Sequence, residues 1–170
     1  MWNGKPVAEW TLDEKNHFLT LLIGKCWHGK YTTDGYSSWK QCLACKEILP
    51  RYYSNPDYYH DLSGFQTVKD FMESQMAETW EKHLLFVASN VNTECKKRLQ
   101  YKLYFTKVFN AQLSLDNLIT YLLNGTEWAW KECPCPPEFQ GDKEIVRICP
   151  YCGDLGKVKH PALTWAEELK

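Results

Sequence analysis

The cysteines of this chain follow a spacing that is typical of metal coordination. Seven of the eight cysteines and one histidine form two quartets with the same pattern, C-x-[CH]-x13-C-x2-C. Two close ligands, a loop and two more close ligands can converge on one ion, and thiolates and imidazole are the ligands that zinc prefers. The first quartet is Cys26, His28, Cys42 and Cys45, and the second is Cys133, Cys135, Cys149 and Cys152.

We expect each quartet to hold one Zn²⁺ ion, which makes two zinc sites in the chain. Four protein ligands fill a tetrahedral coordination sphere, whereas a catalytic zinc keeps one position for water. Both sites should therefore be structural. The stretch Cys149-Pro-Tyr-Cys152-Gly-Asp-Leu-Gly156 looks like a zinc-ribbon knuckle. Zinc ribbons either bind nucleic acid or protein or hold a domain together.

An aromatic segment between the quartets is a candidate partner-binding surface. Tyrosine offers a large contact area at low entropic cost, as binding surfaces require. The tyrosines concerned are Tyr52, Tyr53, Tyr58 and Tyr59. The alternative is a loop packed onto the core, because buried aromatic side chains also dominate core energetics.

Basic residues cluster after residue 95 and are a candidate nucleic-acid-binding surface. On a strand, cations and one ring would share a face and could contact phosphates and an unstacked base. These residues are Lys96, Arg98, Lys102 and Tyr104. The alternative is a solvated face whose lysines protect a strand edge. The formal net charge of -1 offers nucleic-acid binding no support.

Catalytic chemistry is a weaker alternative. Asp57, His60 and Asp61 lie close in sequence, and Cys95 is the cysteine outside both quartets. A nucleophilic cysteine would need a base and an electropositive setting. Because no nucleotide-binding loop, catalytic triad or open metal site is recognisable, we predict that the protein is not an enzyme and has no catalytic residues.

The elements that must position these residues follow from periodicity and capping signals. Thr11 and Glu14 have capping-box spacing, and apolar residues then predict a helix over 12–24. Residues 26–45 are expected to form a hairpin whose ends meet at one metal. A second helix is predicted over 63–81, beginning with the capping-box spacing of Ser63 and Gln66.

The second half of the chain is expected to supply two strands and a third helix. The run Leu84–Ala88 fits a short buried strand, and the alternation from Leu99 to Phe105 fits its partner. Ser114 is expected to cap a helix over 114–124. The tail should form one short amphipathic turn or helix anchored by Leu163 and Trp165.

These elements predict an α+β fold with three helices packed on a small β-sheet, a zinc hairpin and a C-terminal zinc ribbon. We expect a core domain over 1–130 and a zinc-ribbon module with its tail over 131–170. The chain shows no secretory or membrane-spanning stretch. We therefore expect a cytoplasmic protein without membrane contact, in which paired cysteines bind metal and do not form disulfides. The oligomeric state is not predicted.

The chain resembles the phage ABA-sandwich domain family, small proteins of bacteriophages and prophages. The resemblance covers about residues 11–127. It is carried by Glu14 to Trp27, Cys42-x-x-Cys45, Asn55-Pro-Asp-Tyr58 with Asp61, and the helices predicted over 63–81 and 114–124. It implies a layered α/β fold and a phage origin, with no established activity and no functional residues to carry over.

We therefore expect a non-enzymatic, phage-type zinc protein in the host cytoplasm that binds a host protein or complex, for example to inhibit a bacterial defence system. The alternative is a zinc-ribbon protein that binds nucleic acid. The weaker third class is a small enzyme that uses Asp57, His60 and Asp61 or Cys95.

Overall fold

The architecture is taken from a computed structural model that describes residues 4–33, 38–90, 111–125, 127–133 and 157–169. Helices and small antiparallel sheets alternate along the chain, so the predicted α+β class is confirmed. The helices are α1 Leu12–Leu22, α2 Leu62–Gln75, α3 Ala77–Asn90, α4 Ala111–Asn124 and α5 Pro161–Glu168. The strands are β1 Tyr31–Thr32, β2 Trp39–Cys42, β3 Ile48–Pro50, β4 Trp130–Glu132 and β5 Lys157–Lys159.

Helix α1 begins as its sequence predicts. The hydroxyl of Thr11 accepts a hydrogen bond from the amide of Glu14, and the carboxylate of Glu14 accepts one from the amide of Thr11. This capping box satisfies two amides that the first turn would otherwise leave unpaired. The helix ends at Leu22, two residues before the predicted end, and Gly24 then adopts a left-handed φ of 74°. That turn directs the chain toward the first quartet.

The prediction of one helix over 63–81 followed by a strand over Leu84–Ala88 is wrong. Helix α2 starts at Leu62, because the Asp61 side chain accepts from the amide of Ser63, and it ends at a break at Met76 with φ -138°. Helix α3 then runs through the predicted strand. A short apolar run cannot by itself distinguish a strand from a buried helix segment. Here Trp80, His83 and Leu84 have the spacing of one helical face, and the helix continues through the apolar run.

The core is a cluster built mainly by helices. The apolar face of α4 lies at its centre, and all of these residues are buried: Leu115, Leu118, Ile119, Leu122 and Leu123. Helix α4 contacts α1, α2 and α3. It begins at Ala111, so Ser114 lies within the helix and is not the predicted cap.

The C-terminal tail packs on the N-terminal helix. Helix α5 contacts α1 and adds Ala162, Leu163 and Ala166 to the core, so the short tail helix is confirmed. Strand β5 pairs antiparallel with β4 in the register Lys131↔Val158. The predicted domain boundary between residues 130 and 131 stays a prediction, although α5 contacts α1, which precedes this boundary in sequence.

The other sheet holds the first quartet. Its strand order is β1-β2-β3, with Tyr31 opposite Cys42 and Lys40 opposite Leu49. Strands β1 and β2 form the predicted hairpin, and β3 is an addition that the sequence did not indicate. The three helices predicted to pack on one sheet are thus replaced, in the described residues, by five α-helices that build their own core beside two small sheets. None of the helices in the ranges described is long and apolar enough to cross a bilayer.

Candidate metal centre

Two short segments bring the first quartet together. Cys26 and His28 lie on the extended chain that follows the left-handed turn after α1, and Cys42 ends β2. The chain then turns through Cys45 and Lys46, whose φ of 64° is also left-handed. Because Leu43 donates a backbone hydrogen bond of 3.0 Å to Lys30, the two segments are held side by side.

The four ligand atoms are spaced as one tetrahedral metal ion requires. All four lie within 4.8 Å of one another, close enough to hold a metal ion. The sulfurs of Cys26 and Cys42 are 3.8 Å apart, and the sulfur of Cys45 is 3.7 Å from Nδ1 of His28. An ion about 2.3 Å from each sulfur sets tetrahedral sulfurs about 3.8 Å apart. These two ligand–ligand distances therefore match a four-coordinate site.

His28 is held in position by several neighbouring groups. Its side chain is buried, and its ring lies edge-on to Tyr53 at a centroid distance of 5.2 Å. The side chain of Asn55 brackets its backbone: Oδ1 accepts from the His28 amide at 3.1 Å, and Nδ2 donates to the His28 carbonyl at 3.2 Å. A ligand held at both backbone groups loses little freedom when the metal binds.

Glu47 supports the imidazole from the other side. Nδ1 of His28 points to the ligand cluster, and Nε2 lies 3.5 Å from the Glu47 carboxylate. A carboxylate on the outer nitrogen of a metal-bound histidine fixes the tautomer and the orientation of the ring. Glu47 and Asn55 were missed as supporting residues by sequence reasoning. The signal for Glu47 is a carboxylate two residues after Cys45, whereas no local signal assigns Asn55 to His28.

The thiols differ in how readily they ionise. The backbone hydrogen bond from Cys45 is the largest cause that lowers the pKa of Cys42 to about 6, and burial opposes it. Burial, followed by the thiol neighbours Cys45 and Cys42, raises the pKa of Cys26 to about 12. Such amide donation to Cys42 is what a Cys-x2-Cys knuckle predicts, and it prepares this sulfur to bind a cation as thiolate.

Aromatic contacts connect the segment Cys26–His28 to the helical core. Trp27, between the first two ligands, stacks on His17 of α1 with centroids 5.0 Å apart. His17 also contacts Trp165 of α5 at 4.2 Å. On the other side of the site, Nζ of Lys40 lies 3.9 Å from the centre of the Tyr31 ring and donates to the carbonyl of Tyr53 at 2.9 Å. The site is thus supported by contacts to α1, α5 and the aromatic segment.

The predicted partner-binding tyrosines divide into three environments. Tyr58 and Tyr59 are core residues, so their prediction as surface anchors is wrong. The amide of Tyr58 is held by Asn16 at 3.0 Å, and the hydroxyl of Tyr59 donates to Asp116 at 2.8 Å. Tyr53 packs against His28. Tyr52 is 90% exposed, so it alone is a surface side chain.

Asp57, His60 and Asp61 lie in and beside the turn that precedes α2. The Asp57 carboxylate accepts from the amides of Tyr59 and His60 and contacts the His60 ring at 2.7 Å. Burial acts to raise the pKa of Asp57, but the hydrogen bonds from His60, Tyr59 and Asn16 together lower it below its ordinary value. Asp61 caps α2. Each acidic side chain is therefore used to shape the turn that precedes α2.

Several predicted site residues lie outside the described residues. They are the nucleic-acid candidates Lys96, Arg98, Lys102 and Tyr104, the lone Cys95, and the second-quartet ligands Cys135, Cys149 and Cys152. Cys133 is described and is half-buried directly after β4. The second zinc site and the basic strand stay predictions.

Comparisons of the chain with protein-family models, with curated proteins and with solved structures found no significant match. The geometry of the metal centre and the exposed surfaces around it therefore carry the functional interpretation.

Proposed function

We propose that this protein is a non-enzymatic zinc-binding protein whose first site is structural. The observation that carries the proposal is the closeness of Cys26, His28, Cys42 and Cys45, whose ligand atoms all lie within 4.8 Å of one another. Three thiolates and one imidazole are the donors that zinc prefers, and together they complete a tetrahedron. The second quartet, Cys133 with Cys135, Cys149 and Cys152, is proposed to hold a second zinc ion.

Metal content tests the two sites separately. The purified protein should contain two zinc ions per chain by elemental analysis. Cys149→Ser should remove the second site and leave one ion, since Cys45 and its partners are unchanged. Cys45→Ser should likewise leave one ion, and the double variant none. A Cys149→Ser protein without metal would disprove the first site, and a Cys45→Ser protein without metal would disprove the second.

The three-stranded sheet β1-β2-β3 carries the first quartet, and we call it the zinc sheet. Its proposed role is to present an apolar surface to a partner protein. Cross-strand register places Trp39 and Gln41 of β2 opposite Pro50 and Ile48 of β3, on the face away from buried Leu49. Trp39 is 54% exposed and Ile48 is 65% exposed. Exposed apolar groups gathered on one face are a common mark of an interaction site. The sheet needs only a few residues because the metal holds its strands together.

The partner is proposed to be a host protein or complex of a bacterial cell, with the chain acting as a phage-type protein that interferes with host defence. The resemblance to the phage ABA-sandwich family supports this origin. The exposed Trp39 and Ile48 support binding, because large apolar anchors contribute most of the free energy at protein interfaces.

Binding can be tested with a matched surface control. Tagged wild-type protein, Trp39→Ser/Ile48→Ser and Leu62→Ser would be used to capture partners from a bacterial lysate. Leu62 is also strongly exposed but lies on α2. A partner lost with the sheet variant and kept with the α2 variant supports the proposal, provided that the zinc content of all three is equal. Capture that is the same for all three would refute it.

A further inference from the structure

A cavity of about 370 Å³ lies where the break between α2 and α3 meets β4 and the start of α5. Its volume is within the range of small-molecule sites. One wall is apolar and consists of Phe71, Met76 and Trp128. The polar wall consists of Gln75 and the first turn of α3, Ala77–Thr79, together with Lys131 and His160. None of these residues belongs to the metal centre.

The first turn of α3 offers backbone donors to the cavity. The first amide of this helix that makes an i→i−4 hydrogen bond is that of Trp80, which donates to the Met76 carbonyl at 2.8 Å. Within the described ranges, no backbone carbonyl accepts from the amides of Ala77, Glu78 and Thr79. Such amides carry the positive end of the helix dipole. The carboxylate of Glu78 is turned to Lys82 at 2.7 Å and is largely in solvent.

His160, a largely buried residue, adds a side-chain donor. The residue is only 7% exposed, and its Nδ1 accepts a hydrogen bond of 3.2 Å from the amide of Ala162. Because Nδ1 accepts, the proton of the neutral ring is on Nε2. Burial, with a smaller effect of the Lys131 charge, lowers the pKa of His160 to about 4, so the ring is neutral at pH 7. Nε2 has no hydrogen-bond partner in the part of the chain that the structure describes.

Lys131 completes the polar wall with a full positive charge. It lies on β4, is exposed, and is close enough to His160 for its charge to act on the ring. Besides Gln75 and Glu78, which pairs with Lys82, the lining residues bring helix-terminal amides, an imidazole N–H and an ammonium group. All three are donors, and the complementary ligand is an acceptor with negative charge.

We propose that this cavity binds the oxyanion group of a small ligand, a carboxylate or a phosphate, at Ala77–Thr79, Lys131 and His160. The apolar part of the ligand contacts Phe71, Met76 and Trp128. This site is independent of the zinc centre and of the partner surface on the zinc sheet.

The test is a titration of the zinc-loaded full chain followed by amide and histidine NMR signals. Inorganic phosphate, acetate and benzoate are the three probes. Saturable shifts are expected at the amides of residues 77–79 and at the His160 ring, with benzoate binding more tightly than acetate because of the apolar wall. Saturable shifts with phosphate alone would identify the oxyanion as a phosphate group. Saturable shifts with acetate and benzoate alone would identify it as a carboxylate. No saturable shift with any probe would overturn the proposal.

Two variants separate a built site from general charge attraction. Lys131→Gln should weaken binding about tenfold, the effect of one charge-assisted hydrogen bond. Lys157→Gln makes the same charge change on the paired strand β5, outside the cavity wall, and should leave the affinity unchanged. Equal weakening in both variants would overturn the proposal.

His160→Asn removes the Nε2 donor and keeps a side chain that is a good helix N-cap. It should weaken binding while the melting temperature stays close to that of the wild type. If this variant does not fold, the comparison of Lys131→Gln with Lys157→Gln still decides the question.

Discussion

Glu47 shows how a residue outside the quartet can control metal affinity. Its carboxylate lies 3.5 Å from Nε2 of His28, and outer-shell partners of this kind change affinity about 10–100-fold. We expect Glu47→Gln to weaken zinc binding toward the lower end of that range, because glutamine keeps an acceptor, and Glu47→Ala toward the upper end. Competition with a chromophoric chelator measures the affinity.

Glu73→Gln is the control for this prediction, since Glu73 is an exposed residue of α2 that pairs with Lys69. Its zinc affinity should equal that of the wild type. Equal affinity in Glu47→Ala and Glu73→Gln would mean that Glu47 does not orient the imidazole.

His83 is a buried residue with an unfavourable environment. It is only 1% exposed, and neither ring nitrogen has a hydrogen-bond partner within the described residues. Trp80 and Tyr121 lie against the ring with centroids 5.2 Å and 5.5 Å away. A buried polar group without a partner costs about 1–3 kcal/mol. His83→Phe should therefore raise the free energy of unfolding by roughly 1–2 kcal/mol at pH 7 in urea denaturation, because part of the gain is lost in fitting the larger ring.

The same substitution should change the response to acid. Burial lowers the pKa of His83 to about 4 in the folded protein, below its ordinary value of 6.5. Between these values the unfolded chain binds more protons, so stability falls as the pH falls from about 6.5 to 4. His83→Phe should make this fall shallower, and the remaining slope comes in part from His17 and His160, whose pKa values burial also lowers to about 4. Parallel pH profiles for variant and wild type would contradict the assignment.

At the scale of single elements, the close contact between α2 and the preceding turn depends on Gly64. A Cβ atom at this position would lie 2.7 Å from the carbonyl oxygen of Asp57 and 2.9 Å from Cα of Tyr58. Alanine in a helix is favoured over glycine by about 1 kcal/mol, but overpacking against backbone costs about 1–3 kcal/mol. Gly64→Ala should therefore be destabilising by thermal unfolding. Gly125→Ala, which would meet the Tyr121 carbonyl at an ordinary 3.5 Å, should be near neutral, and equal effects would contradict the contact.

The aromatic segment 52–59 combines a core part with a surface part. Tyr58 is fully buried and its backbone is held by Asn16, so Tyr58→Ala should cost about 3–5 kcal/mol, the range of large-to-small core substitutions. Tyr52 is in solvent, so Tyr52→Ala should change stability by about 0.5 kcal/mol or less. Denaturant unfolding measures both. A small loss of stability for Tyr58→Ala would contradict its assignment to the core and favour the predicted partner-binding role.

For the whole molecule, the helical core and the three-stranded sheet that carries the candidate metal centre should depend on zinc to different degrees. The core cluster draws on α1, α2, α4 and α5, whereas the three-stranded sheet buries few side chains, among them Cys42 and Leu49. We expect chelation to remove amide exchange protection from β1, β2 and β3 while most of the helical circular dichroism remains. Loss of both together would show that the metal is needed for the core as well.

The sequence by itself determined the features that depend on neighbouring residues. The spacing of Cys26, His28, Cys42 and Cys45 identified one metal site, because four ligands of the right type in two close pairs have few other uses. The capping box of Thr11 and Glu14 located the start of α1, since both hydrogen bonds are local. The apolar faces of α4 and α5 followed from their helical period.

The tertiary structure decided what depends on distant residues. Helix α3 replaces the strand predicted at Leu84–Ala88, because packing against α2 and α4 overrides what a short apolar run can show. Tyr58 and Tyr59 are buried because Asn16 and Asp116, both far away in sequence, hold them. The oxyanion cavity joins residues of α2, α3, β4 and the start of α5, and no local pattern connects such separated positions.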